Sequence, residues 1–298
     1  KGIKAVSFNR ISPVINTIMN HRDHRKILVI DGKVAFSGGA NLADEYINEK
    51  VIHGHWMDNI ICVKGNAVWS YLVTFLTNWN ALRHEDEDYT VFKNKEMIDE
   101  SNFDGYIAPY AETPLDEELT GQSVYEDILN SANRYVYIMT PYLIIDSEMI
   151  NTLIHTAKKG VDVRIIMPGI ADKQIVHDIG TSYYGQLIQG GVKIYEYEPG
   201  FVHSKVFVSD DIYATVGTIN LDYRSLYLHF ENGTLVDKCT VGAGSIEGSV
   251  LDSNSKAPVK NASVEAYSGT VKVEKTFTKE DGTYSFNDLD EGTYKIVV

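Results

Sequence analysis

The chain has 298 residues, 44% of them hydrophobic, so it is long enough to bury the cores of two or three domains. Its formal net charge of −14 excludes broad nucleic-acid binding, which needs a field of basic side chains to displace phosphate counterions. No apolar run reaches the roughly 18 residues that a membrane-spanning helix requires. Cys62 and Cys239 are too few for a disulfide framework, and both are expected to be buried free thiols.

The chain opens with an apolar stretch, 1–6, that predicts a strand entered in the middle of a domain, so we expect the chain to be a fragment. An apolar segment at 67–79 predicts a buried or half-buried helix. Strands alternate with helices over the following region: strand 134–139, helix 147–159 with Ser147 as N-cap and Gly160 as stop, strand 161–167, helix 175–189, strand 192–197 and strand 226–236. This alternation predicts an α/β fold with mixed sheets flanked by helices.

Two distant segments repeat one pattern, in which a histidine is followed by a lysine, an aspartate and an asparagine at matched spacings. The copies are His24, Lys26, Asp31 and Asn41, and His203, Lys205, Asp210 and Asn220. Each copy predicts a β-hairpin, with its apolar strand at 27–30 or 206–208 and its turn at the aspartate. The repeat predicts two like halves of a duplicated fold, 1–95 and 96–240, the first of them truncated at its N-terminus.

Residues at positions i and i+2 face the same side of a strand, so each copy places an imidazole beside an ammonium group. Two such pairs meeting around a pseudo-two-fold axis suit a phosphodiester. One histidine attacks phosphorus to give a phosphohistidine, and the other protonates the leaving alkoxide. The lysines and asparagines would stabilise the non-bridging oxygens, so we expect no metal and no cofactor. Asp31 and Asp210 are out of register and are interpreted as residues that fix the turns.

A nucleophilic histidine needs a partner that fixes its second ring nitrogen. Within each half one carboxylate is available: we expect Asp58 to serve His24, and Glu231 to serve His203. The sequence leaves the nucleophile open, and His24 is preferred. The other histidines considered, His21, His53, His55, His155, His177 and His229, are assigned to surface or packing positions.

The composition changes after about residue 236. Residues 244–298 lack a helical period, and turn signals separate short alternating stretches such as 263–267 and 283–286. They predict a separate, small, all-β module with a sandwich-like arrangement, joined by a linker at 241–244.

The duplicated motif resembles the phospholipase D superfamily, whose signature is His-x-Lys-x(4)-Asp followed by a Gly-Gly or Gly-Ser pair and Asn. It resembles the bacterial cardiolipin synthases in particular. The similarity extends over roughly residues 1–237 and is carried by the segments 20–27, 36–46, 140–142, 160–164, 195–205 and 220–225. Residues 244–298 resemble carboxypeptidase-regulatory-like or Cna-B-type β-sandwich repeats and are expected to form an incomplete module.

The resemblance implies a phosphatidyltransferase at the bacterial cell membrane that joins two phosphatidylglycerols into cardiolipin and glycerol through a phosphatidyl-histidine. The implied catalytic residues are His24, Lys26, Asp31, His203, Lys205 and Asp210. The implied phosphate-binding or orienting residues are Asn41, Asn220, Gly38, Gly39, Gly217, Thr218, Asp58 and Glu231. The membrane surface is the expected partner, no nucleic acid is expected, and the oligomeric state is open.

This sequence departs from the cardiolipin synthases in three respects. The membrane segments with which such synthases usually begin are absent from it, and His229 stands where the family often has Asn before Phe-Glu. After residue 234 the further helical sequence expected of the family is replaced. Two alternative functions stay open. One is a phospholipase D-type phosphodiesterase or nuclease, in which water replaces the alcohol acceptor. The other is an inactive surface-binding fusion protein whose β-module is the functional part.

Overall fold

A computed structural model of the chain describes residues 2–9, 20–84, 88–94, 105–238, 244–289 and 294–298. The chain folds into two compact units, Lys1–Cys239 and Thr240–Val298. Most of the predicted linker at 241–244 lies outside the described residues, as does Cys239. In the described ranges no helix is both long and apolar enough to span a bilayer.

The strands and helices are defined here in chain order. The strands are β1 (Ile27–Ile30), β2 (Val34–Gly38), β3 (His55–Met57), β4 (Ile60–Lys64), β5 (Tyr106–Glu112), β6 (Tyr135–Met139), β7 (Leu143–Ile144), β8 (Asp162–Pro168), β9 (Lys193–Tyr197), β10 (Gly200–Val202), β11 (Val206–Ser209), β12 (Tyr213–Gly217), β13 (Leu221–Asp222), β14 (Glu231–Asp237), β15 (Gly244–Ser249), β16 (Ser263–Ser268), β17 (Val271–Phe277), β18 (Thr283–Leu289) and β19 (Tyr294–Val297). The helices are α1 (Val68–Arg83), α2 (Thr120–Ser131), α3 (Ser147–Lys158), α4 (Gln174–Thr181), α5 (Tyr184–Gln189) and α6 (Tyr223–Tyr227), and short 3₁₀ helices cover Asp44–Ile47 and Tyr89–Phe92.

Within the described residues, seven strands form the main sheet of the first unit, in the order β5-β14-β12-β11-β6-β8-β9. Strands β6, β8 and β9 are parallel, and the other neighbours pair antiparallel, so the sheet is mixed. Leu129, Leu153 and Leu187, on α2, α3 and α5, are fully buried and belong to the same core as the strands. The predicted α/β class with mixed sheets flanked by helices is confirmed.

A smaller antiparallel sheet, β1-β2-β4, repeats the arrangement that β11-β12-β14 have in the main sheet. Both hairpins turn at an aspartate with a positive φ, 52° at Asp31 and 57° at Asp210. Aspartate tolerates the left-handed conformation, and turns of this hand match the twist of the strands that they join. Helix α1 packs Val68 and Tyr71 against the small sheet. The predicted duplication is therefore confirmed in the strand pairing.

The second unit is built of strands throughout its described part. β15 pairs antiparallel with β18, and β16 lies between β17 and β19 in a second antiparallel sheet. The alternation along β16 buries Val264 and Ala266, which share a core with Phe286 and Leu289. The prediction of a small all-β module is confirmed.

One predicted element is missing from the structure, and two have the wrong limits. Residues 2–6 form no strand. The helix predicted at 175–189 divides into α4 and α5, because the backbone tightens at their junction: the N–H groups of Ser182 and Tyr183 donate to the Ile179 and Gly180 carbonyls, three residues back, at 3.1 Å. The strand predicted at 226–236 starts only at Glu231, since helix α6 extends to residue 227.

Two residue-level predictions also need correction. Asp146, not Ser147, caps α3, because its extended backbone lets the carboxylate accept the Met149 N–H at 2.8 Å. Cys62 is exposed rather than buried, because alternation along β4 turns Val63 to the core and its neighbour to the outside.

Candidate active site

The two predicted histidine–lysine pairs lie immediately before the hairpin strands β1 and β11. In each pair the lysine folds back on its own histidine: the Lys26 ammonium donates to the His24 carbonyl at 2.5 Å, and Lys205 donates to the His203 carbonyl. The two copies therefore share a backbone setting as well as a residue pattern.

Each histidine is held by a carboxylate from the other half of the fold. His24 Nδ1 lies 3.0 and 2.9 Å from the two carboxylate oxygens of Glu231, and His203 Nδ1 lies 2.7 Å from Asp58 Oδ2. The expectation that each half supplies its own carboxylate–imidazole pair is wrong. The residue types were predicted, but their partners are exchanged.

Backbone pairing between the halves explains the exchange. Strands β10 and β3 pair in parallel, and the His203 N–H donates to the Met57 carbonyl at 2.7 Å, directly before Asp58. The second crossing repeats this geometry, since the His24 N–H donates to the Phe230 carbonyl at 2.9 Å, directly before Glu231. Because each histidine amide is tied to the residue preceding a carboxylate, both imidazoles are positioned by the opposite half.

Glu231 is fully buried beneath His24. Its carboxylate also accepts the Ser225 hydroxyl at 2.8 Å, and His229 Nδ1 lies 3.4 Å from it. Burial by itself would raise the pKa of Glu231, but charge attraction to His24, together with the His24 hydrogen bond, lowers it to about 2. The carboxylate is therefore ionised at neutral pH and able to stabilise a positive charge on His24.

His203 has a different electrostatic environment. Burial and the neighbouring Lys205 ammonium lower the pKa of His203 to about 4, although the hydrogen bond and charge of Asp58 oppose this. Behind it, Gly39 leaves room for the carboxylate: a Cβ at this position would lie 2.1 Å from Asp58 Oδ1. His203 is therefore neutral at pH 7 and held in a fixed orientation.

The two lysines lie beside the histidines; Lys205 is 1% exposed, and Lys26 is half-buried. Burial lowers the pKa of Lys26 to about 8, against the opposing charges of Glu231 and Asp58. Burial also lowers the pKa of Lys205 to about 7. A bound anion would reverse this effect by favouring the protonated amines.

A cavity of about 310 Å³ opens over both histidines. Its lining consists of His24, Asn41, Tyr46, Trp56, Tyr142, Asp172, Lys173, His203, Asn220, Asp222, Arg224 and His229. The predicted asparagines therefore enter the same cavity as the predicted histidines. The Asn41 amide donates to the Tyr46 hydroxyl at 2.5 Å, and Asn220 Oδ1 is buried without a partner among the described residues.

Several predicted site residues lie outside this lining. Gly38 and Gly217 pack against neighbouring backbone, where a Cβ would lie 2.2 Å from the Asn59 carbonyl oxygen or 2.4 Å from the Asn232 carbonyl oxygen. The Thr218 hydroxyl is buried on the backbone of Asn232. These residues support the site from behind.

The signature aspartates lie at the hairpin turns, as interpreted from the sequence. Asp210 accepts the backbone N–H groups of Asn133, Arg134 and Tyr135 at 2.7–2.9 Å, and so ties its turn to the start of β6. Asp31 lies at the matching turn of the small sheet. Neither carboxylate belongs to the cavity lining.

Sequence reasoning missed the cavity role of His229. It had no repeat counterpart and was grouped with surface histidines, yet it lies against Glu231 and its ring centroid is 5.7 Å from that of His24. Its position two residues before Glu231 was the available signal. The aromatic residues Tyr46 and Trp56 were also missed. Trp56 belongs to no repeated motif, and Tyr46, although it ends the segment 36–46, has no counterpart in the second copy.

The duplicated fold and the paired histidine–lysine site define a phospholipase D-like protein. Residues 125–242 match the family described as cardiolipin synthase, phospholipase D-like domain, and residues 245–298 match the carboxypeptidase regulatory-like domain. The predicted resemblance of both parts is confirmed.

Among relatives, the chain is 53% identical over 233 residues to an uncharacterized protein of Streptococcus mutans, covering 78% of this chain and 50% of that protein. It is 36% identical over 234 residues to the cardiolipin synthase of Alkalihalophilus pseudofirmus, covering 77% and 46% of the two chains. It is 38% identical over 225 residues to the cardiolipin synthase of Clostridium perfringens, covering 74% of this chain and 47% of that protein. The chain spans about half the length of these relatives.

A solved structure supports the fold. The phosphatidylserine synthase of Haemophilus influenzae superposes with a TM-score of 0.52 at 16% identity, covering 72% of this chain and 58% of that one. At this identity the similarity concerns the fold alone.

Proposed function

We propose that this protein is a phosphatidyltransferase of the cardiolipin synthase type, joining two phosphatidylglycerols to give cardiolipin and glycerol. The observation that carries the proposal is the convergence of His24 and His203 on one cavity, each with Nδ1 held by a carboxylate. Because Nδ1 is occupied, Nε2 of each ring is left for the substrate. One imidazole can then attack phosphorus while the other handles the proton.

The reaction divides into two half-reactions. In the first, the Nε2 lone pair of one histidine forms a bond to phosphorus, the bond from phosphorus to the glycerol oxygen breaks, and the other histidine donates its proton to that oxygen. In the second half-reaction, the histidine that donated the proton takes a proton from a hydroxyl of another phosphatidylglycerol. That oxygen bonds to phosphorus as the phosphorus–nitrogen bond breaks, which gives cardiolipin and restores both imidazoles.

The electrostatics favour His203 as the nucleophile. Its low pKa of about 4 keeps the attacking nitrogen unprotonated at neutral pH, and the adjacent Lys205 disfavours an imidazolium. His24 rests on the ionised carboxylate of Glu231, a setting that stabilises the imidazolium required of a general acid. The preference for His24 as nucleophile had no electrostatic basis, and we propose the reverse assignment.

Lys26 and Lys205 would supply positive charge to the non-bridging phosphate oxygens. In the structure, each ammonium donates to the carbonyl of the histidine two residues before it. When a phosphate binds, the ammonium would donate to a charged oxygen instead of this neutral one, which is a stronger hydrogen bond. Asn41 and Asn220, which line the cavity, would donate to the same oxygens.

Two observations support a lipid substrate. The relatives named above include cardiolipin synthases, and aromatic rings from Tyr46, Trp56 and Tyr142 line the cavity. Such rings combine apolar faces with a polar edge and suit the boundary between a glycerol headgroup and acyl chains. Since both proposed substrates are lipids, we also propose that the protein works at the surface of the bacterial cell membrane.

The test is incubation of the full chain with vesicles that contain labelled phosphatidylglycerol, followed by thin-layer chromatography. Cardiolipin together with glycerol is the expected result. Release of phosphatidic acid alone would replace the proposal with a phospholipase D-type hydrolase. No product from a folded chain would favour the surface-binding alternative. The control His155→Ala alters an exposed histidine on α3 and is expected to retain full turnover, whereas His203→Ala is expected to lose it.

A further inference from the structure

His229 brings a second imidazole to the carboxylate that holds His24. Its Nδ1 lies 3.4 Å from Glu231 Oε1, and its side chain is 13% exposed. That nitrogen is buried and has no hydrogen-bond partner among the described residues, because Glu231 already accepts from His24 Nδ1 and from the Ser225 hydroxyl. Two imidazoles therefore compete for one buried carboxylate. Because the Glu231 carboxylate is hydrogen-bonded to His24, the Nδ1 atom of His229 is left without a hydrogen-bond partner in the described part of the chain.

The three side chains have the spacing of a metal site. One ligand atom from each of His24, His229 and Glu231 lies within 4.8 Å of the other two. Tetrahedral zinc holds nitrogen and oxygen ligands at about 2.0–2.1 Å, which puts neighbouring ligand atoms about 3.3 Å apart. His24 Nδ1 and His229 Nδ1 lie 3.0 and 3.4 Å from the same oxygen, Glu231 Oε1, on either side of that distance. Two imidazoles and a carboxylate favour zinc and similar transition metals over magnesium or calcium.

We propose that His24, His229 and Glu231 form a binding site for a zinc-class divalent cation, with solvent as the fourth ligand. The cation takes the place of the proton on His24 Nδ1, and that proton leaves to solvent. The Lys26 and Lys205 side chains act electrostatically on Glu231, and their positive charge opposes the cation.

A consequence for catalysis rests on the proposed function. A cation on Nδ1 withdraws electron density from the His24 ring, so Nε2 binds a proton less well and cannot deprotonate the acceptor alcohol efficiently. Occupancy of the site is therefore expected to inhibit phosphatidyl transfer.

The experiment is a titration of the full chain with Zn²⁺ at pH 8, followed by calorimetry, with Co²⁺ absorption as a report of coordination geometry. Cys62 and Cys239 are replaced by serine so that thiols do not bind the probe. His229→Asn and His24→Asn each remove one ligand, and His155→Asn is the matched control on the exposed face of α3. Turnover of phosphatidylglycerol vesicles is measured in parallel as a function of Zn²⁺ occupancy.

We expect one Zn²⁺ per chain and a tetrahedral Co²⁺ spectrum. Either His229→Asn or His24→Asn should weaken binding at least about tenfold, since even outer-shell partners of a metal are worth 10- to 100-fold in affinity. His155→Asn should bind as the parent does. Absence of binding to the parent below about 100 µM, or unchanged binding by folded His229→Asn, overturns the site.

The turnover measurements test the inhibitory role of the cation separately from the metal site itself. Turnover that persists at full Zn²⁺ occupancy overturns the inhibitory role. Absence of turnover in metal-free protein counts against the proposed function, and the titration still decides the metal site.

Discussion

The exchange of carboxylates between the halves predicts that Glu231 and Asp58 affect different steps. Charge attraction and hydrogen bonding lower the pKa of Glu231 from 4.5 to about 2 despite complete burial. At about 1.4 kcal/mol per pKa unit, the surroundings favour the ionised carboxylate by roughly 3 kcal/mol. His24 is the largest favourable contributor, so Glu231→Gln is expected to remove most of the support for the His24 imidazolium. We expect a loss of phosphatidylglycerol turnover of roughly 10- to 100-fold, less than the roughly 100- to 10,000-fold contribution of a general acid, because the His24 imidazole itself stays in place.

The assay compares two leaving groups. Glycerol needs a proton as it leaves, whereas p-nitrophenolate leaves without one. Glu231→Gln should therefore slow transfer from phosphatidylglycerol but have little effect on the burst from a p-nitrophenyl phosphodiester. Asp58→Asn should slow both reactions to a similar extent, because it disturbs the orientation of the attacking His203.

The opposite pattern, with Asp58→Asn selective for glycerol, would refute the assignment of roles. The pairing itself is checked by ¹⁵N signals of the labelled imidazoles. Glu231→Gln should shift the ring nitrogens of His24, and Asp58→Asn those of His203. Shifts of the same-half histidines instead would refute the exchange.

Three further predictions concern the surroundings of the site. Gly39→Ala should cost about 1–3 kcal/mol and most of the activity, since its Cβ would overlap Asp58, whereas Gly185→Ala, with open space around it, should unfold in denaturant as the parent does. Asp210→Ala should lower the unfolding free energy by roughly 1–3 kcal/mol, because three backbone N–H groups lose an acceptor, while turnover per folded molecule stays the same. Inorganic sulfate, whose charge does not change in this range, should bind more weakly as pH rises from 6 to 9, because Lys205, with a pKa of about 7, loses its proton; calorimetry in two buffers should detect proton uptake on binding. Equal affinity at both ends of that range would contradict the last prediction.

The two His-x-Lys hairpin motifs were the strongest indication of the site in the sequence, because each is contiguous and the pattern occurs twice. The hairpins were predictable because the apolar strands and aspartate turns are contiguous, and the His-x-Lys spacing recurs with its asparagine in both copies. These features identify the cavity-lining residues His24, His203, Asn41 and Asn220, all of which enter one cavity. Short-range patterns were sufficient for this part of the site.

The choice of carboxylate partners was not predictable in the same way. It depends on parallel pairing of β10 with β3 and on the bridge between Asp23 and Phe230, both of which join segments far apart in the sequence. Sequence spacing favours partners within one half because they are closer along the chain. The fold instead exchanges them, since each histidine amide is bound to the strand end that precedes the opposite carboxylate.

The exchange makes a further prediction about the two halves, namely that neither can provide a working histidine alone. Mixing purified Glu231→Gln with Asp58→Asn should not restore turnover, because both carboxylates and both histidines surround one cavity within a single chain. Every cavity in the mixture then still carries one of the two substitutions. Two independent same-half sites would predict otherwise: each variant would keep about half of the parental rate, and the mixture would do the same. Vesicle turnover of the variants alone and mixed at equal concentration distinguishes these cases. Recovery on mixing would mean that the halves pair between chains in solution and would refute a site built within one chain.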